Sequence, residues 1–275
     1  MGIKIEPNDA LRDDLRHQLQ IAPQLENFVA TTMVGAQDFK EMDNRKACIF
    51  MALANKSFHT FRAIFILLKD GSLLEDSAVL VRVLYESALT ATFLLSSNEQ
   101  TIDDYADFFM FRNWRDHQLY KAMEPTADKR IRPEDLKTME SQFNEVSGRY
   151  PNNKWTDLSA EAMATFADRQ LPQGFKVFAV LYGSIYRQTS AYVHSDVRSI
   201  QASVREDAAG IALISQPVSK ERSGGLMYAA NFLMITICFV VSSTFYGKKY
   251  IPQWNAIVQT WNGTTPVGGE SLENL

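Results

Sequence analysis

The chain has 275 residues, 46% hydrophobic and 22% charged, a balance that excludes a mainly disordered protein and suffices for one large domain. Its 13 glycines and 9 prolines punctuate it sparsely, which favours long helices over many turns. A net charge of −4 and a pI near 5.6 exclude a sequence-independent nucleic-acid coat protein, which needs a global attraction to phosphate, while permitting a local basic site.

The amino terminus, MGIKIEPNDALRDDLRHQ, is polar where a signal peptide carries an apolar stretch, so a cytoplasmic location is expected. Met1-Gly2 opens like a myristoylation signal, but Glu6 stands where Ser or Thr is required. From Asn8 to Phe39 the residues Leu11, Leu15, Leu19, Leu25, Phe28, Val29 and Met33 recur at helical spacing, with Pro23 a point for a kink. A second helix is predicted from about Asn44 to Lys69, ending at Gly71, a residue suited to the left-handed cap.

Ser72-Leu73-Leu74-Glu75 reads as a capping box for a third helix that continues to about Ser97. A fourth spans about Asp103 to Met123, where Asp103, Asp104 and Asp107 suit the positive helix end without a metal. From Pro125 to Leu158 the chain turns polar, an excursion holding one short helix from Glu134 to Gly148. A helix from about Phe175 to Val193, a mixed segment with some strand up to Gly225, and a last long helix from Leu226 to Tyr246 follow. The predicted architecture is a single all-α domain over 1–262, a bundle of long helices with its core at about 44–247, followed by a flexible tail, 263–275.

The last helix permits a second interpretation. No charge occurs from Ser223 to Gly247, and that length would cross a hydrocarbon core. Asn231, Thr236 and Ser242-Ser243-Thr244 dilute its apolarity, and the central helix of a bundle is also apolar all round, so a membrane anchor is the less favoured reading. Cys48 and Cys238 both sit in apolar stretches and read as small buried hydrophobes.

Phosphate loops, HExxH and G-x-S-x-G motifs are absent, and the four histidines, His17, His59, His117 and His194, lack partners at ligand spacing, so neither cofactor nor metal is expected. Chemistry is therefore sought where charge interrupts apolar sequence. In SAVLVRVLYESALTATFLLSS the only charges are Arg82 and Glu86, four apart and so on one helical face. They form a buried ion pair, or Glu86 orients another group and Arg82 faces a cleft. Lys56, His59 and Arg62 at three-residue steps either line the same cleft or form a solvated face.

The strongest local signal is LYGSIYRQTSAYVHSDVRS. On a continuous helix Arg187 and His194 lie about 20° out of line and roughly 10 Å apart, with Gly183, Ser184 and Ser190 near the same stripe. Arginine forks onto phosphate oxygens and histidine moves protons near neutral pH, so the pair suits a phosphodiester. The same two residues near a helix end also suit its last carbonyls and its dipole.

Arg187-x6-His194 in an all-helical chain resembles the Arg-x(4 to 6)-His signature of the HEPN superfamily. VLVRVLYESALTATFLL followed by YRQTSAYVHS is similar, more particularly, to the bacterial family DUF5677, with Arg82, Glu86 and His194 as its Arg-x-x-x-Glu and later histidine; the resemblance covers roughly Cys48 to Thr244. Many HEPN proteins are metal-independent endoribonucleases acting as homodimers, and others bind nucleotides or serve as partner modules. The resemblance implies Arg187, His194 and Glu86 as catalytic residues, Arg82, Ser190 and Tyr192 as substrate-binding ones, RNA or a nucleotide as ligand, and a phage-defence or toxin setting. The 125–158 excursion and the acidic pI depart from the compact HEPN pattern.

Overall fold

The computed structural model describes residues 13–35, 44–70, 74–150, 153–170, 177–187, 189–190, 204–206, 212–214, 220–245 and 249–262. Gly71 and Ser72, the expected cap residues, lie outside the described residues, as do Tyr192, His194 and the 263–275 tail.

Four long helices come first: α1 (Asp13–Gly35), α2 (Asn44–Asp70), α3 (Leu74–Leu95) and α4 (Glu99–Met123). α1 continues through Pro23. That residue faces solvent, where water can serve the carbonyl its missing N–H leaves unbonded. α4 starts earlier than expected because Asn98 caps it, its Oδ1 accepting from the Thr101 N–H at 2.9 Å. Asp103 and Asp107 thereby lie inside the helix, and arginine partners rather than the helix end account for them.

In the excursion, a 3₁₀ turn (Ala127–Arg130) leads to α5 (Pro133–Val146), with proline in its first turn. α6 (Ala160–Gln170), which the sequence reading left without an element, follows. The helix expected from Phe175 to Val193 is described as α7 (Val177–Leu181) running into a π-helical turn, Tyr182–Tyr186, with Arg187, Thr189 and Ser190 helical beyond it. The expected strand content is an antiparallel pair, β1 (Val204–Glu206) with β2 (Ala212–Ile214), Val204 opposite Ile214.

The last long helix, α8 (Lys220–Phe245), is the axis of the bundle and packs against α1, α2 and α3. Met227, Ala230, Leu233, Met234 and Val240 are all buried in it. The segments 74–95 and 223–242 are long and apolar enough to cross a membrane, yet 61% and 78% of an 18-residue apolar stretch in each are buried within the protein, the placing of core helices. Asn231, the polar interruption, donates through Nδ2 to the backbone carbonyl and Oε1 of Gln18 on α1, both at 2.9 Å. A final helix, α9 (Ile251–Asn262), folds back over α1 and α8 and buries Trp254, Ile257, Val258 and Trp261.

In the two nearly charge-free helices Leu84, Leu94, Phe232 and Val240 are buried. Phe65, on α2, is only partly so, with the Lys69 ammonium 6.0 Å from its ring centre. Cys238 is buried, and burial pushes its thiol pKa up, whereas Cys48 is exposed on the outer face of α2. A small satellite core, Phe111, Val146 and Tyr150, holds the excursion together, and Trp155 packs against both it and the main core.

Candidate functional site

Arg82 projects from the middle of α3 towards the segment after α7. Its side chain is 14% exposed, and a cation so placed needs partners. Nε donates to Glu86 Oε1 at 3.2 Å, Nη1 to Ser190 Oγ at 3.0 Å and Nη2 to the Tyr186 hydroxyl at 3.3 Å. The guanidinium carbon lies 4.5 Å from the centre of the Tyr186 ring, a cation–π contact. Arg82 thus binds the late segment to the bundle.

Glu86 departs from the expectation of a buried pair: its side chain is 49% exposed, and its contact is with Arg82. It orients Arg82 from the solvent side. Because Glu86 can rehydrate, Arg82→Met is expected to cost about 1 to 2 kcal/mol, below the ~3 to 5 of a fully buried pair. An unchanged urea midpoint would show that Arg82 does not tie the two segments together.

Beneath Arg82 lies a layer of tyrosines. Tyr85, fully buried, donates to the Phe178 carbonyl at 3.0 Å, and its ring meets Phe178 at 5.9 Å and Tyr186 at 5.5 Å. Burial above all, then the negative charge of Asp168 and the neighbouring phenols of Tyr186 and Tyr182, push the Tyr85 pKa up, so it remains a neutral donor. Tyr182 stacks on Tyr186 at 5.2 Å. Asp168 on α6 accepts the Phe178 and Ala179 N–H groups at 2.8 and 2.9 Å, capping α7 from outside its own helix.

The π turn sets which side chains face out. The Arg187 N–H reaches back five residues to the Tyr182 carbonyl, which inserts an extra residue into the helical path, a distortion common at functional sites. Val180, Gly183, Ser184 and Arg187 are exposed, and a methyl group at Gly183 would meet open space. Ser190 does not share this open face as expected. It is half-buried at Arg82, with its hydroxyl donating to the Tyr186 carbonyl at 2.9 Å. The structure therefore assembles Arg82, Glu86, Tyr186 and Ser190, with the exposed Arg187 next to Tyr186 in the chain; His194 and Tyr192 lie outside the described residues.

The other sequence candidates lie apart from this cluster. Lys56, His59 and Arg62 lie on the solvent side of α2 rather than in a cleft, with Arg62 3.8 Å from Glu26. His117 is buried and pairs with Asp128 at 2.9 Å, while Lys121 holds the other carboxylate oxygen. Among the described residues no group of three His, Cys, Asp or Glu side chains could hold a metal ion.

Tyr186, Tyr85 and Asp168 are the members that sequence reading missed. Tyr186 carries a usable signal, since Tyr182, Tyr186 and Ser190 recur every four residues. Asp168 carries none, because its partner Phe178 lies ten residues on, in a different helix.

The fold and this cluster define an α-helical bundle protein in which an arginine of an inner helix anchors a distorted late helix. The chain belongs to the family of unknown function DUF5677, whose model matches residues 47–211, more than half of the sequence, including Arg82, Glu86, Arg187 and His194. Comparison with curated proteins and with solved structures finds no match.

Proposed function

We propose that the chain is a HEPN-like, RNA-directed protein that cleaves phosphodiesters without a metal. The observation that carries this reading is that Arg82 is bonded to Tyr186, immediately before the exposed Arg187. Tyr186 thus stands between Arg82 of another helix and the next residue in its own, the exposed cation Arg187, with the exposed small residues Gly183 and Ser184 in the turn before it.

In this reading the ribose 2′-hydroxyl attacks its own phosphate, the bond to the 5′-oxygen breaks, and a cyclic phosphate remains. His194 moves the proton, Arg187 stabilises the charge gathering on the phosphate oxygens, and Glu86 holds Arg82 as a positioning residue. Tyr192 contacts substrate, Ser190 holds Arg82 in place instead of reaching substrate itself, and a homodimer brings the Arg187 and His194 of each subunit together. A phage-defence or toxin setting in the cytoplasm fits such an activity.

A second reading, a non-catalytic nucleotide-binding or sensor module, is favoured by one feature. All three Arg82 nitrogens already have protein partners, so that arginine needs no phosphate to satisfy it. The deciding experiment incubates purified protein with single-stranded RNA in excess chelator. Products ending in cyclic phosphate support the enzyme. Absence of cleavage from every RNA tried, with retained binding of a nucleotide, selects the second reading.

A further inference from the structure

A second concave site lies where the excursion returns to the bundle, outside the Arg82 cluster. It is a cleft of about 450 Å³ between α3, α4 and residues 149–150 and 154–158, a size in the usual range for small-molecule sites. Its aromatic wall is fixed: the Trp155 ring meets Phe93 edge-on at 5.8 Å and Tyr105 at 4.9 Å.

The loop carrying Trp155 is held by its own backbone. Asn153 has φ 57°, a left-handed conformation that asparagine tolerates better than most residues. Its N–H bonds the Tyr150 carbonyl at 3.0 Å, its side chain accepts from Arg115, and the Leu158 N–H bonds Thr156 Oγ1 at 3.2 Å. These bonds organise the loop without using its charges. Lys154 and Asp157 are exposed and make no salt bridge among the described residues.

The cleft wall holds two cations, Arg149 and Lys154, and two carboxylates, Asp104 and Asp157. Arg149 is oriented by Asp107 at 2.7 Å, approaches Asp104 at 3.9 Å and lies in hydrogen-bonding reach of the Tyr150 side chain, while Asp104 accepts from Gln100 Nε2 at 2.9 Å through one oxygen; five guanidinium N–H groups and a second carboxylate oxygen give this pair capacity for a ligand besides. A phosphate-rich ligand would meet two carboxylates of like charge, and a polyamine would meet two cations. A charge-balanced wall beside an aromatic face matches a molecule carrying both signs and an apolar body.

We propose that this cleft binds a small zwitterion of the amino-acid class, its carboxylate taken by Lys154 and Arg149, its ammonium by Asp157 and Asp104, and its side chain by Trp155. The polar excursion would then be a ligand-sensing appendage of the bundle. This proposal stands whether or not the protein cleaves RNA.

The test is ligand-observed NMR and calorimetry on the full chain with the free amino acids. For the best binder, its N-acetyl and its carboxamide derivatives are compared, with adenosine monophosphate as an anionic control. Each blocked derivative is expected to bind about tenfold or more weakly than the free amino acid, the loss of one charge-assisted contact. Lys154→Gln should weaken the free amino acid by a similar factor and leave the carboxamide unchanged. Asp157→Asn should do the same while leaving the N-acetyl form unchanged. Both residues are exposed, so the variants should melt like the wild type. Absence of binding by any free amino acid at about 10 mM, equal binding by the blocked forms, or tighter binding by the nucleotide would each overturn the proposal.

Discussion

Tyr85→Ala is expected to lower the unfolding free energy by about 3 to 5 kcal/mol, the loss typical of a large aromatic removed from a packed core. The residue is fully buried and touches both Phe178 and Tyr186, so the cavity would open between α3 and the late segment that carries Arg187. For a chain of this size the shift in Tm should be on the order of 10 °C. Tyr85→Phe separates the ring from the hydroxyl: it keeps the packing, removes the bond to the Phe178 carbonyl and should cost about 1 to 2 kcal/mol. Urea denaturation of both variants provides the check. If Tyr85→Ala and Tyr85→Phe lose the same stability, the hydroxyl rather than the ring joins the two segments.

His194→Ala and Arg187→Ala should carry the largest kinetic effects if the chain cuts RNA. General acid–base catalysis is worth about 10² to 10⁴ in rate, and removal of one group stabilising a developing oxyanion costs about 10² to 10³. Arg187 is exposed, so its loss should leave the Tm unchanged and the fall in single-turnover rate should report chemistry or binding. Arg187→Lys retains the charge but loses the two-pronged geometry, and should recover only part of the rate. Arg82→Met should act differently, lowering stability and activity together, because Arg82 positions the segment. Variants at 187 and 194 that cut as fast as the wild type would remove both residues from the mechanism.

Much of the fold was legible in the residues because it follows from local periodicity. The charge-free run of α8 and the two-charge run of α3 each require burial on every side, and both helices occupy the core. The Arg82–Glu86 contact follows from a four-residue spacing that any α-helix turns into adjacency. α9 is equally readable, since Trp254, Ile257, Val258 and Trp261 fall at helical spacing, although the expected elements include no helix between Tyr246 and residue 262.

By itself the sequence determined an all-α bundle, its most apolar helices and the segments in which charge had to find a partner, because hydrophobic periodicity and the cost of burying charge act over one or two turns. Only the tertiary structure decided which partners those were. Ser190 turns inward to Arg82 at a separation of 108 residues, Asp168 on α6 caps the next described helix, and Asp107 is shared by Arg45 and Arg149. The π turn at Tyr182–Tyr186 was likewise decided by packing. Over residues 177–187 an α-helix and its bulged form share nearly the same local preferences, and the stacked tyrosines beneath Arg82 select the second, setting the direction in which Arg187 points.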